Sequence, residues 1–130
     1  MINVKELMIG DYVDVDEVDS KPVIGIVKEI FTDPTGYLIV IEKGEDIDCF
    51  CEDEILPIVL SKDFFLKNGF KELCRTEYST RLYNSDLYLR VKITSENRFT
   101  CNNIGVNYVH EFQHYLRLVN LFDYANNLKI

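Results

Sequence analysis

The stretch His110-Glu111-Phe112-Gln113-His114 fits the pattern H-E-x-x-H, and that spacing carries a specific chemistry. Imidazoles four residues apart on one helical face can hold Zn²⁺, and the glutamate between them can act as general base toward a metal-bound water. His110 and His114 are therefore the candidate metal ligands, zinc the candidate cofactor, and Glu111 the candidate catalytic residue of a zinc-dependent hydrolase. Ordinary composition would give the pattern in about one chain of this length in several hundred. The rest of the chain does not complete it. A catalytic zinc needs a third protein ligand beside an open position, and these 2 histidines are the only ones in the sequence. The extended metalloprotease pattern would put Gly at Arg117 and a ligand at Asn120. Arg117 instead brings fixed positive charge one turn from the metal, and an asparagine amide is a poor zinc ligand. After Glu111 the one acidic residue is Asp123, which would reach the histidines only if the chain reversed soon after Asn120.

The element that must carry this motif is a helix from Tyr108 to about Asn120, with Asn107 as its cap. At about 100° per residue, Tyr108, Val109, Phe112, Tyr115, Leu116 and Val119 form one apolar stripe. His110 and His114 fall on the opposite side, with Leu118 and Leu121. The expectation is a core-packed helix with solvent-facing imidazoles, no metal and no catalytic residue.

Elsewhere the chemistry is sparse. Cys49, Cys51, Cys74 and Cys101 form no C-x-x-C pair, and Cys49 and Cys51 point to one face of a strand. Without a secretion signal they read as reduced, mostly buried thiols. A mixed zinc site drawing on Cys49 and Cys51 is open, though their spacing gives it no support. Asp14, Asp16 and Asp19 resemble a calcium loop, but that loop needs Gly at Asp19 and Glu at Gly25. No glycine-rich phosphate loop is present.

With 130 residues, 47% of them hydrophobic, the chain can bury a core, which excludes a disordered tail, a collagen-like fibre or a disulfide knot. The apolar runs Tyr37 to Ile41 and Ile55 to Leu60 fall far short of the roughly 20 residues that span a bilayer. A cytoplasmic protein without membrane contact is expected. The net charge of -8 is unevenly divided: residues 1–60 hold 15 acidic and 4 basic side chains, residues 61–130 hold 7 and 10. The acidic half would repel phosphates, which disfavours nucleic acid. It would suit a basic protein partner, or self-association through the basic half of a second copy.

Two halves follow. Residues 1–60 read as an acidic, small five-stranded barrel, with strands at Tyr12 to Asp16, Val23 to Phe31, Tyr37 to Ile41, Ile47 to Cys51 and Leu56 to Val59. Turns at Asp19 to Pro22, Asp33-Pro34-Thr35-Gly36 and Lys43 to Asp46 separate them. Tyr12, Phe31, Tyr37 and Phe50 are read as core rings rather than a peptide groove. Residues 61–130 read as a mixed α+β half: a short helix capped by Ser61 and stopped at Asn68-Gly69, a small antiparallel sheet, then the C-terminal amphipathic helix. The strands there lie around Leu73 to Tyr78, Leu87 to Thr94 and Arg98 to Cys101, with a turn at Tyr83 to Asp86. Arg75, Arg81, Arg90 and Arg98 interleave with Tyr78, Tyr83 and Tyr88, a pattern that serves single-stranded nucleic acid but more often cross-strand pairing. Whether the halves share one core stays open.

Glu6-Leu7-Met8-Ile9-Gly10-Asp11-Tyr12-Val13, Leu56-Pro57-Ile58-Val59-Leu60-Ser61 running into Leu66-Lys67-Asn68-Gly69-Phe70, and Tyr108-Val109-His110-Glu111-Phe112-Gln113 together resemble a family of short, uncharacterised bacterial and phage-type proteins. The resemblance spans most of the chain, without a counterpart for the stretch from Lys71 to Val106. In that family the last anchor reads Tyr-Val-His, any residue, Leu-Gln, often followed by Asn where this chain has His114. Leu-Thr-Gly follows where this chain has Val119-Asn120-Leu121. The resemblance implies a structural helix and an incidental second histidine, and it offers no catalytic residues to carry over. The reading is an α+β protein acting as a non-enzymatic accessory or protein-interaction module. The zinc-dependent hydrolase is the alternative.

Overall fold

The computed structural model describes residues 2–15, 23–81, 88–94 and 98–130, with backbone alone at 81. The chain is α+β, with two antiparallel sheets, and divides into two units: Met1–Ile58 with Tyr108–Gln113, and Val59–Asn107 with His114–Ile130.

Turn chemistry builds the sheet of the first unit. Its strands β1 (Tyr12–Asp14), β2 (Ile24–Asp33), β3 (Gly36–Lys43) and β4 (Asp46–Cys51) lie side by side in sequence order. Between β2 and β3, Asp33 pairs with Gly36, and the Asp33 carboxylate accepts the Thr35 N–H at 2.7 Å and its hydroxyl at 2.5 Å. Those two bonds hold the Asp33 carboxyl below the ordinary carboxylate range. Between β3 and β4, Lys43 pairs with Asp46 across a two-residue loop whose Gly44 sits at φ 62°, where a side chain would be strained. Gly25 answers a different need: a Cβ there would collide with the Ile41 side chain. Val13, Val27, Ile39, Ile41 and Ile55 are completely buried and form this unit's core with Ile2, Val4 and Leu7.

The sheet is an open half-barrel, not the closed five-stranded barrel expected. The fifth strand shrinks to one bridge, in which Leu56 and Asp14 exchange N–H···O bonds of 2.9 Å. Pro57 follows directly, and without an N–H it cannot extend the ladder. Among the four rings assigned to the core, Tyr12 is buried, Tyr37 and Phe50 are half-buried against it, and Phe31 is exposed. The turn expected at Asp19 to Pro22 lies outside the described residues.

In the second unit, helix α1 (Lys62–Lys67) begins where the Ser61 hydroxyl accepts the Phe64 N–H at 3.2 Å. It ends in a Schellman motif: Phe70 N–H to Phe65 C=O at 3.0 Å, Gly69 N–H to Leu66 C=O at 3.3 Å, Gly69 at φ 84°. The hydrophobic partner such an ending favours is present, with the Phe65 and Phe70 rings 5.2 Å apart.

The second sheet has five strands, β5 (Lys71–Cys74), β6 (Glu77–Arg81), β7 (Tyr88–Ile93), β8 (Phe99–Cys101) and β9 (Ile104–Val106), in that order. The segment read as one strand from Leu73 to Tyr78 is a hairpin turning at Arg75-Thr76, where no Gly, Pro or Asn marks the turn. The last strand also arises from a hairpin, made by Asn102 and Asn103 at φ 48° and 66°. Asparagine tolerates that left-handed geometry, and both central residues of a type I′ turn require it. The turn at Tyr83 to Asp86 lies outside the described residues.

Helix α2 (Val109–Leu118) stops short of the expected Asn120. Asn120 adopts φ 64° while Leu121 N–H reaches Leu116 C=O at 2.7 Å, a second Schellman ending with Asn in the glycine position. Val119, placed in the core stripe, consequently lies beyond the helix and is exposed. A short helix α3 (Phe122–Asn126) follows. No helix among the described residues is long and apolar enough to cross a membrane.

Candidate functional site

The first turn of α2 decides what the H-E-x-x-H stretch does. Glu111 is the third residue of the helix, and its carboxylate accepts the N–H of Tyr108, the residue before the helix, at 3.2 Å. This is the glutamate half of a capping box, which satisfies a backbone donor that the helix itself cannot. The donor it serves belongs to Tyr108, one residue after the Asn107 expected as cap. The chain enters the helix pinned, since Val109 N–H donates to Ile58 C=O at 2.8 Å.

His110 is not solvent-facing. It is 1% exposed, and its ring stacks on Tyr108 with centroids 5.7 Å apart and planes 7° from parallel. His114 is half-buried. The helical projection assumed one buried face, whereas α2 is covered on more than one side, as completely buried Gln113 shows. Among the described residues, the one grouping of three metal-capable side chains is exposed Cys51, Asp53 and Glu54. That grouping contains neither histidine, and Glu54 already accepts the Cys51 N–H at 2.9 Å.

Gln113 is the buried polar residue of this stretch that the helical projection does not announce. Its Oε1 accepts the Tyr12 N–H at 2.8 Å, and its Nε2 donates to the Gly10 C=O at 3.1 Å. One amide therefore serves both a donor and an acceptor of the chain entering β1. The same turn is tied by Gly10 N–H to Val27 C=O at 2.7 Å, Val27 N–H to Asp11 C=O at 3.0 Å and Met8 N–H to the Asp11 carboxylate at 2.8 Å. Its two polar ends make Gln113 a fixed latch, because an uncharged amide accepts and donates side by side at any pH. The only sequence hint is a polar residue beside the apolar stripe.

The other flagged residues divide plainly. Asp14 Oδ1 accepts the Val23 N–H at 3.0 Å, while Asp16 and Asp19 lie outside the described residues. Tyr78 is buried beside Phe65, which removes it from the proposed Arg–Tyr face. Arg90 stands 3.8 Å from Glu77, Tyr88 is exposed, and Tyr83 and the Arg81 side chain are outside the described residues.

The thiols correct the expectation of burial: Cys49, Cys51 and Cys74 are exposed, and only Cys101 is buried. Among the described residues β4 and β5 are edge strands, so their residues lack the covering neighbours that sequence patterning assumed. The Thr76 hydroxyl, 3.5 Å from the Cys74 sulfur, and the Thr76 N–H lower the Cys74 thiol below the ordinary range. The Glu54 carboxylate raises Cys51, and burial pushes Cys101 up to about 12. Because the thiolate is the nucleophile, iodoacetamide near pH 8 is expected to label Cys74 before Cys51, and Cys101 only on unfolding. Peptide mapping over time checks the order.

Compared with known protein families, curated proteins and solved structures, the chain matches none.

Proposed function

We propose that the chain is a non-enzymatic accessory or protein-interaction module, in the bacterial or phage setting its three anchors resemble. The observation that carries this reading is the engagement of the Glu111 carboxylate at the Tyr108 N–H. A general base must face a reacting water, whereas this carboxylate caps the helix that presents it. The anchors meet through structural bonds: Gln113 holds Gly10 and Tyr12, Val109 holds Ile58, and Leu56 pairs with Asp14, the residue that follows the first anchor. The motif thereby reads as a fold determinant. Residues 1–60, with 15 acidic and 4 basic side chains, would supply the interacting surface.

Metal content and helix stability test the reading together. Untagged protein purified without added zinc is expected to hold far less than one equivalent, whether or not His114 is alanine. Glu111→Gln, which keeps an acceptor for Tyr108, is expected to melt as the parent, while Glu111→Ala loses about 0.5–2 kcal/mol. Stoichiometric zinc that disappears in His114→Ala would overturn the module in favour of the hydrolase.

A further inference from the structure

Strand β4 has a neighbour on one side only among the described residues, because the order ends β3-β4. The opposite edge of this sheet, at β1, is occupied by the Leu56 bridge. In a ladder closed by a two-residue loop at Lys43 and Asp46, the pairs Ile41–Asp48 and Ile39–Phe50 exchange backbone bonds. The N–H and C=O groups of Ile47, Cys49 and Cys51 therefore point to the open edge. Cys51 N–H is taken by Glu54, which leaves Ile47 and Cys49 as the addressable pair.

The chemistry along that edge is one-sided. Between Lys43 and Lys62 the sequence holds six acidic residues, Glu45, Asp46, Asp48, Glu52, Asp53 and Glu54, and no basic one. Lys43 stands opposite Asp46, whereas Asp48 faces the uncharged Ile41. On the alternate positions, Ile47, Cys49 and Cys51 continue the cross-strand rows of Glu42, Val40 and Leu38. Past the end of the strand, Tyr37, Cys51, Glu52 and Asp53 line a cleft of about 360 Å³ with the Thr35-Gly36 turn. Its ring and two carboxylates fit the stem and head of a lysine or arginine.

We propose that β4 is a docking edge for a basic partner segment, added as a further strand, in which Lys or Arg alternates with aliphatic residues. The inference rests on the module reading and names its partner. Cations of the added strand would lie beside Asp46 and Asp48, its aliphatic residues beside Ile47 and Cys49, and one basic side chain in the cleft. The same carboxylates repel a second copy's β4. Among the described residues the exposed strand β5, Lys71-Glu72-Leu73-Cys74, does not fit either, since it sets its one cation beside an acidic residue and its pairing shifts register between Glu72 and Cys74.

The test uses a capped peptide alternating Val with Lys and a matched peptide with Glu for Lys, titrated into the full chain by fluorescence anisotropy. The Lys peptide is expected to bind, to weaken roughly tenfold or more between about 0.05 and 0.5 M salt, and to outcompete the Glu peptide. Cys49→Pro removes an outward N–H without touching the β3 ladder, and is expected to abolish binding while the melting curve is kept. Asp48→Asn, which leaves the strand's backbone intact, is expected to weaken binding severalfold. No binding by the Lys peptide, or equal binding by Cys49→Pro or by the Glu peptide, would overturn the docking edge while leaving the zinc test of the module untouched. A dimer broken by Cys49→Pro would give the edge to a second copy and likewise overturn the proposal.

Discussion

Gln113→Leu is expected to destabilise the first unit by about 2–5 kcal/mol, because it strands two backbone groups at once. The Tyr12 N–H at 2.8 Å and the Gly10 C=O at 3.1 Å both end on the buried amide, and a leucine of similar volume answers neither. A buried group left unmade costs about 1–3 kcal/mol, the part-buried Gly10 C=O toward the lower end of that range, against a total stability of about 5–15 kcal/mol for an ordinary domain. Urea unfolding followed by circular dichroism gives the loss directly. Gln113→Glu separates hydrogen bonding from packing. A neutral carboxyl can still accept from Tyr12 and donate to Gly10, whereas a carboxylate can only accept and faces the Gly10 oxygen unfavourably. The native state then favours the protonated form and raises that carboxyl above its unfolded value of about 4.3. Stability of Gln113→Glu is therefore fullest below that value and is lost as pH rises through the native one. A Gln113→Glu protein as stable at pH 7 as at pH 4, relative to the parent, would show that the amide donates nothing essential.

This latch also shows where sequence reasoning reaches its limit. Local rules worked where the chain decides its own shape within a few residues. Asp33 and Gly36 flank a hairpin loop, Gly44 opens another, and Ser61, Gly69 and Phe70 bound α1 as their types demand. They failed where local chemistry is silent, as at Arg75-Thr76, which turns a hairpin without any turn-favouring residue. They failed again where distant chain decides the environment. Tyr12 and Gln113 meet across 101 positions, so nothing in the helical projection announces that Gln113 is buried or that His110 beside it is covered. The same projection treated Glu111 by motif alone, although its distance of three residues from Tyr108 is also the spacing of a capping box. A pattern that serves both catalysis and capping needs a third ligand to separate the two, and the sequence named none.

The second unit is expected to depend on one ring. Phe65→Ala should cost about 3–5 kcal/mol, the range for truncating a fully buried aromatic. Phe65 is completely buried, with Phe64, Phe70 and Phe99 at centroid distances of 5.3, 5.2 and 5.0 Å and Tyr78 stacked at 6.5 Å. Helix α1 has 6 residues, far below the length at which an isolated helix holds in water. Its existence therefore derives from this packing rather than from propensity or capping. Ser61→Ala, which removes only the cap to Phe64, should cost about 1 kcal/mol, and Phe65→Leu, which keeps most of the apolar volume, should fall between the two. The order of the three urea midpoints tests the argument. If Ser61→Ala matched Phe65→Ala, the cap and not the ring cluster would hold α1. If Phe65→Leu matched Phe65→Ala, the geometry of the edge-to-face rings would outweigh the apolar volume they fill. Because Phe70 contacts Phe65 through the Schellman ending, the alanine variant also loosens the turn that leads into β5.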